Sequence, residues 1–218
     1  MKKYDTVIFD LDGTLLNTLD DLADSANFAL SLYDLPNRTT DEVRRFLGNG
    51  VAKLIERCIP NGRQNEYYEK CLADFRKHYS KNMQNKTTPY TGIMELLGQL
   101  SEKGYKIAIV SNKFDSAVKG LNELYFNKYI KVAIGEMESE GVAKKPAPDT
   151  VFKALKELRS TPDRAVYVGD SEVDVKTAKN SGLPCVGVTW GFRNRQILND
   201  EGANYIIDKP EQLVEIVY

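Results

Sequence analysis

Two aspartates at the end of an apolar run are the residues of this chain best suited to chemistry. Asp10 and Asp12 follow Val7-Ile8-Phe9, and Gly13 comes directly after them. An apolar run that ends in acids and a glycine indicates a buried strand leading into a tight loop. Side chains alternate along an extended chain, so both carboxylates are predicted to point the same way. The alternative is a strand that ends in solvated turn residues, because Asp and Gly favour turns.

Two carboxylates held this close have two chemical uses. Like charges repel each other, and a bound cation relieves that repulsion. Clustered hard oxygen ligands suit Mg²⁺. A carboxylate can also act as a nucleophile and form an aspartyl-phosphate.

Polar residues also stand at the ends of later predicted strands. One such strand delivers Ser111-Asn112-Lys113, another delivers Gly169-Asp170-Ser171 and then Asp174, and a loop carries Lys144-Lys145-Pro146. Ligands of an open parallel sheet bind beyond the carboxyl ends of its strands. Several acids, one hydroxyl and one lysine there suit phosphoryl transfer, in which positioning and charge neutralisation supply most of the catalysis. Taken singly, the serine is typical of a turn and the lysine pair of a solvated loop.

The elements that must position these residues fall into two groups. Strands and helices alternate from residue 88 onward, which predicts an α/β, Rossmann-like core with a parallel sheet and helices on both faces. The predicted strands cover residues 4–9, 105–111, 132–135, 165–170, 185–188 and 205–207. Helical patterns fill the stretch between the first two strands, and Thr18-Leu19-Asp20-Asp21 resembles a capping box. The predicted domains are therefore a core of residues 1–16 and 88–218 and an inserted helical cap of residues 17–87.

Composition excludes several classes of function. The chain has 218 residues, 42% of them hydrophobic and 28% charged, with a formal net charge of −1. This balance fits a globular protein and favours no binding to nucleic acid or to an anionic membrane. No apolar run is long enough for a membrane span, and no secretory signal is visible, so a cytoplasmic location is expected.

Cys58, Cys71 and Cys185 form no CxxC pair and are predicted to be reduced, buried thiols. Oligomeric state is not predicted.

Four motifs of the chain resemble those of the haloacid dehalogenase-like hydrolases, in the order of that family. They are Asp10-Leu11-Asp12-Gly13-Thr14-Leu15, Ser111-Asn112-Lys113, Lys145-Pro146 and Gly169-Asp170-Ser171-Glu172-Val173-Asp174. The helical insert matches the place of the family's cap. Phe46-Leu47-Gly48-Asn49-Gly50 and Val188-Thr189-Trp190-Gly191-Phe192 are similar to segments of its phosphoglycolate phosphatase branch.

This resemblance implies roles in catalysis. Asp10 would be the nucleophile, and Asp12 would protonate the leaving oxygen and later deprotonate water. Ser111 and Lys145 would hold the phosphoryl oxygens, with help from the backbone N–H of Asn112. The family's lysine directly precedes proline, which favours Lys145 over Lys144.

The resemblance also implies a cofactor and a substrate contact. Mg²⁺ would be bound by Asp10, the main-chain carbonyl of Asp12 and Asp170, with Asp174 supporting it. Gly48 and Gly50 either let the cap backbone approach the substrate or form a plain turn between helices.

The implied function is Mg²⁺-dependent hydrolysis of a small phosphorylated metabolite, with 2-phosphoglycolate as a candidate. Asp12 argues against a dehalogenase, which lacks the second acid. Gly169 argues against a sugar-phosphate mutase, which typically has a glutamate there. Alternatives left open are a pyrophosphatase, a sugar-phosphate phosphatase or mutase of the same family, and a non-catalytic module that binds a phosphorylated ligand.

Overall fold

A computed structural model describes residues 3–218 of the chain. Met1 and Lys2, which the sequence prediction assigns to the core, lie outside the described residues. The described chain divides into two compact units, residues 3–16 with 89–218 and residues 17–88. The sequence predicts that the helical segment ends at residue 87, one residue before the end of the observed unit at residue 88. The chain passes between the units at two short strands, β2 (Leu16–Asn17) and β3 (Thr88–Pro89).

The larger unit contains a six-stranded sheet in which every neighbouring pair is parallel. Its strands lie in the order β5 (Val132–Glu136), β4 (Lys106–Phe114), β1 (Thr6–Phe9), β6 (Ala165–Gly169), β7 (Cys185–Val188) and β8 (Tyr205–Ile207). The predicted Rossmann-like α/β class is therefore confirmed. The strand order changes direction at β1, and ligands of such sheets bind at the carboxyl ends next to that point.

Six helices of this unit are α5 (Ile93–Glu102), α6 (Asp115–Tyr125), α7 (Asp149–Glu157), α8 (Glu172–Ser181), α9 (Arg195–Asp200) and α10 (Leu213–Val217). Helices α6 and α7 pack on β4 and β5, and α8 packs on β6 and β7. All four residues of β1 are buried, which agrees with its uninterrupted run of apolar and β-branched residues.

Two elements position residues of the site. Strand β4 does not end at Ser111, as predicted, but continues to Phe114, with a shift in its register against β5 between Val110 and Phe114. Helix α8 begins at Glu172. Asp174 therefore lies in the first turn of α8, where its carboxylate accepts hydrogen bonds from the N–H and hydroxyl of Ser171 at 3.1 and 2.7 Å.

The smaller unit is helical and consists of α1 (Leu19–Ser31), α2 (Thr40–Phe46), α3 (Val51–Cys58) and α4 (Tyr68–Asn82). Apolar residues of α1 and α4, including Leu22 and Phe75, form its buried core. The predicted capping box at Thr18 is wrong, since its side chain makes no capping hydrogen bond. The carboxylate of Asp21 instead accepts hydrogen bonds from the backbone N–H groups of Lys86 and Thr87.

All three cysteines are buried and unpaired, as the sequence indicated. Among residues 3–218, none of the helices combines the length and the apolar character needed to cross a membrane.

Candidate active site

Asp10 is the first residue after β1, and its carboxylate is almost completely buried. Its Oδ1 accepts a hydrogen bond from the N–H of Leu11 at 2.7 Å and lies 3.0 Å from Nζ of Lys145. Burial, and then the charge of Asp174, raise the pKa of Asp10 to about 7, although the lysine opposes this. A carboxylate at a strand end is thus held by one lysine in a site with little access to water.

Lys145 lies at the centre of a closed network. Its ammonium group is 2.7 Å from Oδ1 of Asp174, 3.0 Å from Oδ1 of Asp10 and 3.0 Å from the hydroxyl of Tyr167. That hydroxyl donates in turn to the carbonyl oxygen of Val110 at 3.0 Å. Burial alone would lower the pKa of Lys145, but the two carboxylates outweigh it and hold the pKa well above its usual value. The lysine therefore stays charged between fixed partners.

Asp170 follows β6 and is held by the loop that follows β7. The N–H of Phe192 donates to Oδ2 of Asp170 at 2.6 Å, and the hydroxyl of Thr14 donates to Oδ1 at 3.4 Å. A Cβ atom on Gly13 or Gly191 would come within 3.0 Å of the Asp170 side chain. Glycine at these two positions lets both backbones approach the carboxylate.

Three of these carboxylates form a cluster that fits a divalent cation. Oxygens of Asp10, Asp170 and Asp174 lie within 4.8 Å of one another, and all three residues are buried. Burial, then the charges of Asp174 and Asp10, raise the pKa of Asp170 well above its usual value. The lysine contacts two of the three acids, so ionisation of all three would leave an excess of negative charge. Hard oxygen donors in this arrangement suit a hard cation.

Asp12 occupies a different environment from Asp10. Its two carboxylate oxygens accept hydrogen bonds from Nζ of Lys113 at 2.8 and 2.9 Å. The side chain of Lys113 is 1% exposed, whereas that of Asp12 is 20% exposed. Each predicted acid of the first motif therefore pairs with its own lysine: Asp10 with Lys145, and Asp12 with Lys113.

Ser111 and Asn112 lie inside the extended part of β4 and are buried. The hydroxyl of Ser111 accepts a hydrogen bond from the N–H of Lys113 at 3.3 Å. The side-chain amide of Asn112 donates to the carbonyl oxygen of Lys145 at 3.0 Å. This contact joins the end of β4 to the backbone of the lysine.

The remaining candidates lie elsewhere. Gly48 and Gly50 are in the helical unit, in the connection between α2 and α3, with φ angles of 112° and 83°. That residues 17–87 form a cap that selects the substrate, and that these glycines approach a substrate, stays a prediction. Lys144 is half-exposed and pairs with Glu138 at 2.8 Å.

Sequence reasoning missed the contacts of Lys113 and Tyr167. A signal for the first was present, since Lys113 stands two residues after Ser111 and residues two apart share one side of a strand. Tyr167 lies in the apolar run of β6 and looks like an ordinary core residue. Its link to Val110, 57 residues away, has no local signal.

The chain is similar to known proteins over most of its length. The model of the haloacid dehalogenase-like hydrolases matches residues 7–188. The chain is 33% identical over 212 residues to the phosphoglycolate phosphatase of Aquifex aeolicus. This alignment covers 97% of the chain and 95% of that protein. It is 32% identical over 204 residues to the phosphoglycolate phosphatase of Mesorhizobium japonicum, with 92% and 89% covered.

Solved structures show the same fold. A crystal structure of a proposed phosphoglycolate phosphatase from Lactobacillus delbrueckii subsp. bulgaricus superposes with a TM-score of 0.93 at 34% identity, covering 99% of this chain and 98% of that one. A predicted phosphoglycolate phosphatase from Haemophilus somnus superposes with a TM-score of 0.91 at 26% identity, over the full length of both chains.

Proposed function

The chain belongs to the haloacid dehalogenase-like hydrolase family and is a phosphomonoester hydrolase; from this premise we propose that it hydrolyses 2-phosphoglycolate through an aspartyl-phosphate on Asp10. The observation that carries the proposal is the position of the Asp10 carboxylate, 3.0 Å from Lys145 and within a cluster of buried acids at the end of β1. The similar phosphoglycolate phosphatases supply the candidate substrate.

The first step transfers the phosphoryl group to the enzyme. An Asp10 oxygen attacks phosphorus while the bond from phosphorus to the ester oxygen breaks, and that oxygen takes a proton from Asp12. The hydroxyl of Ser111 and the ammonium of Lys145 hold the non-bridging oxygens of the group in transfer. The alcohol, glycolate in this case, is released.

The second step restores the enzyme. Asp12, now ionised, takes a proton from a water molecule whose oxygen attacks phosphorus. The bond between phosphorus and the Asp10 oxygen breaks, which releases inorganic phosphate and a free Asp10 carboxylate. One residue thus acts first as an acid and then as a base, as in other hydrolases with a covalent intermediate.

Mg²⁺ is the cofactor that these residues would hold. The carboxylates of Asp10 and Asp170 and the main-chain carbonyl of Asp12 would be its ligands, and Asp174 would support the site through Lys145. When bound, the ion would neutralise charge on the acids and on the phosphoryl oxygens. The excess of buried negative charge around Asp170 supports this assignment.

A substrate panel tests the proposal. Phosphate release is measured with 2-phosphoglycolate, p-nitrophenyl phosphate, a hexose phosphate and pyrophosphate, with and without Mg²⁺. We expect Mg²⁺-dependent release that is fastest with 2-phosphoglycolate. Asp10→Asn should abolish release from every substrate, while Asp163→Asn, at an exposed aspartate, should leave it unchanged. Normal turnover by Asp10→Asn would contradict the assigned nucleophile.

A further inference from the structure

We propose that Lys113 binds a carboxylate on the leaving group, so that the site selects phosphate esters of short 2-hydroxy acids. This inference rests on the proposed function, because it takes Asp12 as the residue that meets the ester oxygen. Lys113 stands in the second of the four motifs, where the resemblance implies no role for it, and here it makes a specificity-determining contact.

Lys113 lies next to Asp12, the residue that would meet the ester oxygen. Its ammonium group is buried and lies 2.8 and 2.9 Å from the two oxygens of Asp12. If Asp12 meets the ester oxygen by one hydrogen bond, Nζ of Lys113 lies within two hydrogen-bond lengths of that oxygen, or about 6 Å. The ammonium group of Lys113 is therefore close enough to meet a group attached through that oxygen.

The length of the leaving group decides how far its carboxylate lies from the ester oxygen. In a phosphorylated 2-hydroxy acid, the carboxyl carbon is attached to the carbon that bears the ester oxygen. Bond lengths and angles then place the carboxylate oxygens about 3 Å from the ester oxygen. A carboxylate on such a short leaving group comes within reach of Nζ, whereas each added methylene group moves it farther from the ester oxygen.

Lys113 also has the charge that a substrate carboxylate needs. Within the described residues, Lys113 and Lys145 are the buried lysines. Lys145 is fixed between Asp10 and Asp174, on the side where the phosphoryl group is transferred. A substrate carboxylate that loses its water on entering the site needs a cation. Lys113 is the buried lysine placed to supply one, since its partner Asp12 is partly exposed.

The proposal is tested by removing the charge of the substrate and that of the lysine separately. The substrates are 2-phosphoglycolate and its amide, in which a neutral carboxamide replaces the carboxylate at almost the same size. The quantity compared is the ratio of kcat/KM for the acid to kcat/KM for the amide. We expect the unmodified enzyme to prefer the acid by about 10- to 100-fold, the usual effect of a charged hydrogen bond in a desolvated site.

Lys113→Met should bring this ratio close to one, because the variant has lost the cation that distinguishes the two substrates. Lys113→Arg should keep most of the preference. Lys144→Met removes a half-exposed lysine that pairs with Glu138 and should leave the ratio unchanged. A Lys113→Met enzyme that loses activity equally on both substrates would show a merely structural role and overturn the proposal.

A measurement on the unmodified enzyme covers the case in which Lys113→Met does not fold. 2-Phosphoglycolate is compared with its homologue that is one methylene longer, and the shorter acid should be hydrolysed several-fold more efficiently. Equal efficiency, or equal hydrolysis of acid and amide, would overturn the proposal.

Hydrolysis of p-nitrophenyl phosphate separates this inference from the proposed function. That substrate has no carboxylate, so it reports phosphatase chemistry alone. If its Mg²⁺-dependent hydrolysis needs Asp10 but the acid-to-amide ratio is one, only the role of Lys113 is wrong. If no ester is hydrolysed, the proposed function is wrong.

Discussion

The two buried lysines of the site have different surroundings. Lys145 contacts two buried carboxylates, Asp10 and Asp174, and the hydroxyl of a buried tyrosine, Tyr167. These partners are close and shielded from water, and the hydroxyl of Tyr167 also lies 3.4 Å from Oδ1 of Asp174. Such a network holds one geometry, because each polar group in it would be costly to leave unpaired.

Lys113 has a partner of another kind. It binds Asp12, whose carboxylate is 20% exposed and can be reached from solvent. Under the proposed roles, the nucleophile Asp10 belongs to the closed network around Lys145, and the general acid Asp12 belongs to the more open pair with Lys113.

The largest expected difference between the Lys145 network and the Lys113 pair is in their contribution to the free energy of unfolding. Lys145→Met leaves two buried carboxylates without their cation and should lower the free energy of unfolding by about 3–5 kcal/mol. Lys113→Met should lower it by clearly less, because water can solvate Asp12. Urea denaturation of the metal-free proteins measures both values. Equal losses would mean that the two lysines are equivalent, and the comparison would fail.

Asp12→Asn should separate substrates by their leaving groups. An alkyl phosphate needs a proton on its departing oxygen, so its hydrolysis should fall by about 10²- to 10⁴-fold. Hydrolysis of p-nitrophenyl phosphate should fall far less in its first step, because nitrophenolate leaves without a proton. The release of alcohol or nitrophenol in the first turnover measures this step by rapid mixing. Equal losses for both esters would contradict the role of Asp12 as general acid.

Tyr167→Phe tests the closed side with a smaller change. The variant keeps the ring but removes the hydroxyl between Lys145 and the carbonyl oxygen of Val110. We expect a loss of about 1–3 kcal/mol in the free energy of unfolding. Activity on 2-phosphoglycolate and p-nitrophenyl phosphate should fall by the same factor, since Tyr167 is on the phosphoryl side. A change in the ratio of these two activities would place Tyr167 on the leaving-group side instead.

The smallest expected effect is that the stabilisation of the protein by Mg²⁺ depends on pH. The folded-state pKa of Asp10 is about 7, raised from 3.8 by burial and by Asp174. The metal-free native state therefore holds a proton that the unfolded chain releases, and its stability falls as the pH rises between those values. Mg²⁺ competes with this proton, so it should raise Tm more at pH 8 than at pH 6. Equal shifts at both values would contradict this, and Asp170→Asn should weaken the shift.

Much of the fold followed from local pattern. The apolar runs of β1, β6 and β7 identified buried strands, and the alternation with helices identified a parallel sheet. The acids Asp10 and Asp170 were placed at the site because they directly follow such runs. Helix α9 was missed, since its six residues are too few to show a period.

What sequence reasoning did not find depends on contacts between distant segments. The extension of β4 beyond Ser111 occurs together with a shift in the register of β4 against β5. No residue type within β4 predicts this shift. Asp21 looked like part of a helix cap, but its carboxylate is used by Lys86 and Thr87, 65 and 66 residues away. The partner of Lys113 is likewise 101 residues distant.

The covalent intermediate on Asp10 is the claim on which all the assigned roles depend. Enzyme mixed with Mg²⁺ and excess 2-phosphoglycolate is quenched with borohydride, which reduces an acyl phosphate to an alcohol, and the peptides are analysed by mass spectrometry. The account predicts that the side chain at position 10 is converted to that of homoserine, and only when substrate is present. Reduction at another carboxylate, or none while phosphate is being released, would contradict it.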